Sequence, residues 1–198
     1  MTQPEILILA AGASSRMRGA DKLAEPIGGI PLLRHVARVA LATGLPVNVV
    51  LPHSTSPRRA MLAGLAVRIL DVGHPETGLS ESFRAGLECL PQPAPVIVLL
   101  ADMPEITTSD LSDMLLKWQD YPEMILRGST QDGRPGHPVC FPAWSRAELV
   151  TLTGDEGAKS VLQRHRERTI HVPLPGDHAT TDLDTPEEWA AWRASRGQ

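Results

Sequence analysis

Cysteine, basic charge and long apolar runs are all scarce in this 198-residue chain. The two cysteines, Cys89 and Cys140, lie far apart with no second thiol near either, which excludes a thiol metal motif and a disulfide framework. This pattern favours a reducing cytoplasm. The formal net charge of −4 argues against a general nucleic-acid or anionic-membrane binder. A local basic pocket remains compatible with it.

The longest early apolar run, residues 6–11, is short and is preceded by Glu5 rather than by basic residues. It therefore lacks the length and flanks of a signal peptide or a membrane span, and we interpret it as a buried first strand. The sequence contains no internal repeat, low-complexity tract or linker. We expect one domain over residues 1–198, with neither a nucleic-acid nor a membrane partner.

Short runs rich in Leu and β-branched residues alternate with helical patterns. The runs predict strands buried on both faces, which is typical of a largely parallel sheet, at 5–10, 47–52, 67–71 and 96–101. The intervening patterns predict helices within 31–44 and at 79–90, 108–119, 143–151, 157–166 and 185–195. The order predicts a three-layer α/β sandwich with a mostly parallel mixed sheet and helices on both faces. The Gly/Pro-rich segment 127–138 is expected to be a long functional loop.

Ligands of parallel α/β sheets bind beyond the carboxyl ends of the strands, so the residues after each strand are candidates. The first strand is followed by small and basic residues: Gly12, Ser14, Ser15, Arg16 and Lys22. Gly12 would allow a tight turn, Arg16 would hold two phosphate oxygens, and Lys22 would supply a compact charge. Neither G-x-G-x-x-G nor G-x-x-x-x-G-K-[ST] is present. The segment predicts a phosphate loop, with a solvated turn as the alternative.

Asp102 directly follows the predicted strand at 96–101, and Asp182 and Asp184 precede the last predicted helix. At a strand exit beside a phosphate loop, Asp102 is a candidate Mg²⁺ ligand. Asp182 and Asp184 would point to opposite faces of an extended segment, so that one of them could join Asp102. The alternative is that these residues are turn formers and helix caps.

Three further segments carry candidate binding residues. Gly78, Ser80 and Ser82 accompany a loop-to-helix transition whose free N–H groups could bind an anion or a base edge. Residues 133–139 and 154–161 could contact an acceptor through Arg134, Gly136, His137, Asp155 and Lys159. The alternative is that these residues are structural or solvated.

Taken together, the ordered segments resemble the nucleotidyltransferases of molybdenum cofactor biosynthesis, and most closely the molybdenum cofactor cytidylyltransferases. The resemblance spans almost the whole chain and is carried by LAAGASSRM with DKL, GLSESFRAGL, ADMP, GRPGHPV, GDEGAKSVL and DLDTPEE. It implies a Rossmann-like fold of the nucleotide-diphospho-sugar-transferase type. It also implies Mg²⁺-dependent transfer of CMP from CTP to the molybdopterin–molybdenum cofactor, with release of pyrophosphate.

The resemblance also assigns residues. Leu9, Ala10, Ala11 and Gly12 would border the base and ribose, and Ser14, Ser15, Arg16 and Lys22 would hold the triphosphate. Gly78, Ser80 and Ser82 would border the base. Asp102 would be the main metal ligand, with Asp184 the preferred second one. The segments containing Arg134, Gly136, His137, Asp155 and Lys159 would face the acceptor.

Arg16, Lys22 and Asp102 would then be the catalytic residues, because an in-line displacement by an ionised phosphate needs positioning and charge stabilisation rather than a strong base. Guanylyl transfer from GTP to the same cofactor is one alternative, although GLSES favours cytosine. A non-catalytic nucleotide-binding or cofactor-delivery protein is another. A molybdoenzyme or its chaperone is a further expected partner.

Overall fold

A computed structural model describes residues 2–53, 56–72, 79–91, 94–152 and 158–197. These residues form a three-layer α/β sandwich, which agrees with the fold class predicted from the sequence. Its strands are β1 Glu5–Leu9, β2 Pro26–Ile27, β3 Ile30–Pro31, β4 Val47–Leu51, β5 Arg68–Asp71, β6 Val96–Leu100, β7 Ile125–Ser129, β8 Pro135–Phe141 and β9 Thr169–Pro173. Its helices are α1 Leu32–Leu41, α2 Arg58–Met61, α3 Leu79–Glu88, α4 Thr108–Asp120, α5 Arg146–Leu149, α6 Lys159–Arg164 and α7 Pro186–Ser195.

The main sheet has seven strands in the order β5-β4-β1-β6-β8-β7-β9, and β2 and β3 form a separate antiparallel pair. Strands β5, β4, β1 and β6 pair in parallel, as do β7 and β9. Strand β8 runs antiparallel to both of its neighbours, β6 and β7. The central strand β1 lies between β4 and β6, so the residues that follow β1 and β6 meet at one edge of the sheet.

The strands β1 and β6 are buried on both faces because apolar side chains occupy every position that the two helical layers cover. Ile6 and Ile8 pack into the core shared with α1, α4 and α7, whereas Leu7 and Leu9 pack into the core shared with α3, α5 and α6. Helix α3 lies so close to the sheet that a Cβ on Gly86 would come within 2.7 Å of Val50 Cγ2. This close packing fixes the layer that borders the strand ends.

The helix boundary signals behave as predicted. Thr185 caps α7 with a reciprocal capping box in which Glu188 is the partner, and Pro186 is the first helical residue. Gly44, which follows α1, has a φ of 77°, a conformation that glycine adopts without strain. None of the helices formed by the described residues combines the length and the apolar character needed to cross a membrane.

Two structural predictions made from the sequence are wrong. The predicted loop 127–138 is largely a β-hairpin, in which residues 130–134 form the turn between β7 and β8. Its glycines permit close packing: a Cβ on Gly128 would lie 2.6 Å from the His137 carbonyl oxygen, and one on Gly136 would lie 1.8 Å from that of Ala179. In addition, β5 is an edge strand whose Arg68 and Asp71 are exposed, not a strand buried on both faces.

Candidate active site

A pocket of about 380 Å³ opens where β1 and β6 end. Its wall combines the end of β1, the loop that follows, one residue of α3, the end of β6 and the segment before α7. The lining residues are Leu9, Ala10, Ala11, Gly12, Ala13, Arg16, Lys22, Leu23, Ser82, Leu100, Ala101, Asp102, Asp182 and Asp184. Residues that the sequence places at strand ends are therefore brought to one cavity.

Lys22 lies between two carboxylates at the base of this pocket. Its Nζ donates to Asp102 Oδ2 and, at 2.6 Å, to Asp184 Oδ1. Burial alone would lower the pKa of Lys22, but the charges and hydrogen bonds of Asp102 and Asp184 raise it above its ordinary value. The exposed Arg16 adds a second cation, with Nη2 2.6 Å from Asp184 Oδ2. Asp102 and Asp184, 82 residues apart in sequence, thus share one ammonium group.

The segment before α7 is fixed by backbone hydrogen bonds. Leu183 N donates to the Asp102 carbonyl at 3.3 Å, and Glu188 Oε2 accepts from Asp184 N at 2.7 Å. Contrary to the expected alternation, Asp182 and Asp184 both line the pocket. Burial, together with the negative charges of Asp102 and Asp184, raises the pKa of Asp182. The described segment is not part of a strand, so the two-residue alternation of an extended chain does not apply.

The loop after β1 is braced by an ion pair that sequence reasoning missed. Arg58, at the start of α2, has only 7% of its side chain exposed. Its Nη1 donates to the Ala10 carbonyl at 2.6 Å, its Nε to Asp21 Oδ2 at 2.7 Å, and its Nη2 to Ser14 Oγ at 3.1 Å. Burial alone would raise the pKa of Asp21, but the hydrogen bonds and charge of Arg58 hold it below its ordinary value.

This brace changes the interpretation of Ser14. Its hydroxyl also donates to Asp21 Oδ1 at 3.1 Å, so in this structure the side chain is engaged within the loop. Ser14 and Arg18 adopt φ values of 52° and 53°, a left-handed conformation that is uncommon for residues other than glycine. Buried Met17 and Leu23 anchor the same loop in the core. The brace therefore holds the loop in an otherwise unfavourable path.

Gly12 needs no left-handed backbone. Its φ lies outside the left-handed region, and a Cβ built on it would meet nothing within 4 Å. A smaller recess beside the main pocket is lined by Gly12, Ala13, Ser14, Ser15, Arg16, Lys22 and Asp184. Gly12 thus combines open space with a backbone that is not left-handed.

The predicted base-bordering segment lies only partly within the described residues. Ser82 lines the pocket and is almost fully buried, and Ser80 is fully buried in the first turn of α3. Gly78 lies outside the described residues.

A second pocket of about 190 Å³ adjoins the first, since Leu9 and Leu100 belong to both. Two of the predicted acceptor residues, His137 and Lys159, line it. Burial and the nearby charge of Arg127 lower the pKa of His137 to about 4, so its ring is neutral near pH 7. The remaining lining residues are Phe83, Val98, Arg127, Val139, Phe141, Ala158 and Leu162.

Among the described residues, Arg134 and Gly136 do not line either pocket. Arg134 lies on the surface, where it pairs with Asp177 at 2.6 Å and with Asp132 at 3.4 Å, and its role as an acceptor contact stays a prediction. Gly136 is enclosed by Ala179, and its carbonyl accepts a 3.1 Å hydrogen bond from Arg127 Nε. Asp155 lies outside the described residues.

The donor set at the first pocket fits a divalent cation in chemistry. Asp102 Oδ1 is buried and has no hydrogen-bond partner within the described part of the chain. Together with Asp182 and Asp184 it concentrates negative charge, which the raised pKa of Asp182 reflects. The described side chains nevertheless contain no group of three or more His, Cys, Asp or Glu residues arranged to hold a metal. The Lys22 ammonium occupies the position between Asp102 and Asp184.

A mostly parallel α/β sheet whose strand ends carry a Gly/Ser/Arg/Lys loop and converging carboxylates is the arrangement expected of a nucleotidyltransferase domain. The chain belongs to the family of MobA-like NTP transferase domains, whose sequence profile matches residues 6–169.

Individual relatives agree with this assignment. The bifunctional protein GlmU of Alkalilimnicola ehrlichii is 34% identical over 112 residues, which are 56% of this chain but only 24% of that protein. The chain thus spans about a quarter of the length of the curated relatives it matches. Among solved structures, Rv0371c from Mycobacterium tuberculosis H37Rv has a TM-score of 0.81 and 25% identity over 96% of this chain and 97% of that one. A CMP:2-keto-3-deoxy-manno-octonic acid synthetase complexed with CTP shares the fold, with a TM-score of 0.73 and 17% identity over 100% and 99% of the chains.

Proposed function

We propose that this protein transfers CMP from CTP to the molybdopterin–molybdenum cofactor in a divalent-metal-dependent reaction that releases pyrophosphate. The convergence of Lys22, Asp102 and Asp184 beneath the loop after β1 is the observation that carries the proposal. Cations and carboxylates that meet at the carboxyl end of a parallel sheet suit a nucleoside triphosphate bound with a metal ion.

In this reaction an oxygen of the acceptor phosphate forms a bond to the α-phosphorus of CTP. The bond between that phosphorus and the oxygen bridging to the β-phosphate breaks, and pyrophosphate leaves with the electron pair. The acceptor phosphate is ionised near neutral pH, so the site needs no strong general base. Arg16 and Lys22 stabilise the charge on the phosphoryl oxygens, and the loop that contains them positions the triphosphate.

Asp102 and Asp184 would hold the divalent cation, with Asp182 close by in the same pocket. A bound Mg²⁺ would neutralise phosphate charge and orient the reacting groups. The orphaned Asp102 Oδ1 supports this role for the carboxylate. Further support comes from Rv0371C, whose structure has been solved in complex with manganese. That structure matches this chain with a TM-score of 0.77 and 24% identity. We assign Mg²⁺ on the basis of the sequence resemblance, and Mn²⁺ is the comparison cation.

The preference for CTP rests on the GLSES segment, of which Ser82 lines the pocket. Leu9, Ala10 and Ala11 would border the nucleoside from β1, and Ser80, Ser82 and Gly78 would border the base from α3 and the chain before it. Ser14 and Ser15 would contribute backbone N–H groups to the triphosphate, because the Ser14 hydroxyl is engaged by Asp21 and Arg58.

The test measures pyrophosphate release by purified protein supplied with molybdopterin–molybdenum cofactor, each of CTP, GTP and ATP, and either Mg²⁺ or Mn²⁺. We expect release with CTP and a divalent cation, and none after EDTA treatment. Release with GTP alone would contradict the nucleotide preference. Tight nucleotide binding without release would favour a carrier that delivers cofactor without catalysis.

A further inference from the structure

The second pocket has a charge and shape of its own. It joins β1, β6, β7 and β8 to α3 and α6, and its apolar wall includes Leu9, Phe83 and Phe141. Its cations are Arg127 and Lys159, since His137 is neutral near pH 7. It is continuous with the first pocket at Leu9 and Leu100.

Arg127 is a half-buried cation of the second pocket that has no acidic partner among the described residues. The described residues place no carboxylate within ion-pair distance of its guanidinium, and its one hydrogen bond there is from Nε to the Gly136 carbonyl. Burial lowers the pKa of Arg127, and no nearby acid offsets that effect. A half-buried guanidinium without a counter-charge is unfavourable, so a ligand that brings an anion would stabilise the site.

Lys159 extends the positive charge to the pocket mouth. Its side chain is exposed at the start of α6, and within the described chain it makes no ion pair. Two cations that have no acidic partner within the described residues, beside an apolar wall, suit a phosphate monoester better than a single carboxylate. The reason is that the phosphate carries close to two negative charges at neutral pH. The fork of Arg127 matches phosphate oxygens in geometry as well as charge.

We propose that the second pocket binds the acceptor, as a compact and partly apolar body between Leu9, Phe83 and Phe141 whose phosphate is held by Arg127 and Lys159. This inference rests on the proposed function, which requires a second substrate that accepts the nucleotidyl group. It adds Arg127 as the residue that selects for a phosphorylated substrate. The two pockets together fall in the range of about 300–1,000 Å³ that is usual for small-molecule sites. The nucleotide and the acceptor would therefore bind side by side.

The test uses phenyl phosphate as a probe, with the first pocket saturated by the non-transferable analogue α,β-methylene-CTP and Mg²⁺. Isothermal titration measures the Kd of the probe for the wild type and for Arg127→Gln, Arg127→Lys and Lys159→Gln. We expect Arg127→Gln to weaken binding roughly 10- to 100-fold, as is usual when a hydrogen-bonded charge is lost. The Kd of Arg127→Lys should lie between those of the wild type and Arg127→Gln. Lys159→Gln should raise the Kd less than Arg127→Gln does. Phenol should bind far more weakly than phenyl phosphate.

Arg166→Gln is the matched control, because Arg166 is fully surface-exposed and pairs only with its neighbour Glu167 in the described structure. It should leave the Kd unchanged, and circular dichroism should show that each variant is folded. Loss of probe binding on saturation with the CTP analogue, or an unchanged Kd in both Arg127 variants, would overturn the proposal. Because no turnover is measured, a protein that binds the CTP analogue but fails in the cytidylyl-transfer assay can still bind the probe, so the two proposals can fail separately.

Discussion

The two pockets at the strand ends share the side chains of Leu9 and Leu100 but differ in how their charges are balanced. In the first pocket, Lys22 and Arg16 are already paired with Asp102 and Asp184. In the second, Arg127 and Lys159 have no described acidic partner. A site that receives a metal and a polyphosphate needs charges of both signs, whereas a site that receives a bare anion needs only cations. The electrostatic difference is therefore what we expect if the first pocket is a nucleotide–metal site and the second is an acceptor site.

The largest expected effect on the first pocket comes from a substitution of Asp102. Asp102→Asn preserves the shape of the side chain but removes a negative charge on which the proposed metal site depends. We expect turnover to be abolished in the pyrophosphate-release assay with CTP, Mg²⁺ and cofactor, while the thermal unfolding midpoint stays near that of the wild type. Asp113→Asn, at an exposed carboxylate of α4, is the control and should behave as wild type. Near-normal turnover by Asp102→Asn would remove Asp102 from the mechanism.

The next effect is on stability and concerns the brace beneath the first pocket. Arg58→Met would leave the carboxylate of Asp21 without its guanidinium. Because that carboxylate is 27% exposed, the cost should fall somewhat below the roughly 3–5 kcal/mol of breaking a fully buried pair. Urea unfolding at pH 7 measures the loss. Arg59→Met is a matched control in the adjacent residue, where the pair with Asp71 is about 40% exposed and should contribute about 1 kcal/mol or less.

The brace also predicts a dependence on pH. The pKa of Asp21 is lowered in the folded state, so its stabilising contribution is fully present above the ordinary value of 3.8 and is lost as the pH falls through the folded value. Wild-type protein should therefore lose stability below pH 3.8 more steeply than Arg58→Met does. Equal slopes, or a loss at pH 7 no larger than that of Arg59→Met, would show that the brace does not hold the loop.

Lys22 is the charge that Asp102 and Asp184 of the first pocket share. Lys22→Ala should lower kcat by roughly 10²- to 10³-fold, the usual effect of losing one preorganised charge-stabilising group. Arg18→Ala tests another cation of the same loop, which is 72% exposed and pairs with Glu187, and its kcat should be unchanged. Steady-state kinetics with CTP separates the two outcomes. Equal rates for wild type and Lys22→Ala would assign Lys22 to structure alone.

The parts of the site that sequence could predict are those encoded by local pattern. An apolar run followed at once by Gly12 or Asp102 identifies a strand exit, and the capped start at Thr185 fixes the segment that carries Asp184. The brace could not be found in this way, because Arg58 and Asp21 are 37 residues apart and meet only after α2 packs beside the loop.

The prediction of a loop at residues 127–138 failed for a different reason. Gly and Pro in residues 127–138 indicate a loop when their conformational freedom is considered, but Gly128 and Gly136 are required there by close approach of other backbone. Within the resulting hairpin, Arg127 faces the pocket and Arg134 lies in the surface turn. Arg127 lies in β7 opposite Val139 of β8, whereas Arg134 lies in the turn between the two strands. The pairing of these strands, which the composition of the segment does not reveal, separates the two arginines.

The smallest expected effect tests whether the open space at Gly12 belongs to the nucleotide. A methyl group there would meet no atom within 4 Å, and the backbone is not left-handed, so Gly12→Ala should keep or slightly raise stability, by about 0.4–1 kcal/mol. If the triphosphate or nucleoside lies against this position, the KM for CTP should rise by about 10-fold or less, since one methyl group displaces only part of the ligand. Gly19→Ala in the same loop is the contrasting control, because it is equally open but has a φ of 95°. It should lower stability with little change in KM, since strain and not occlusion is introduced. An unchanged KM for Gly12→Ala would mean that the nucleotide approaches the first pocket from another side, with the loop acting through its charges alone.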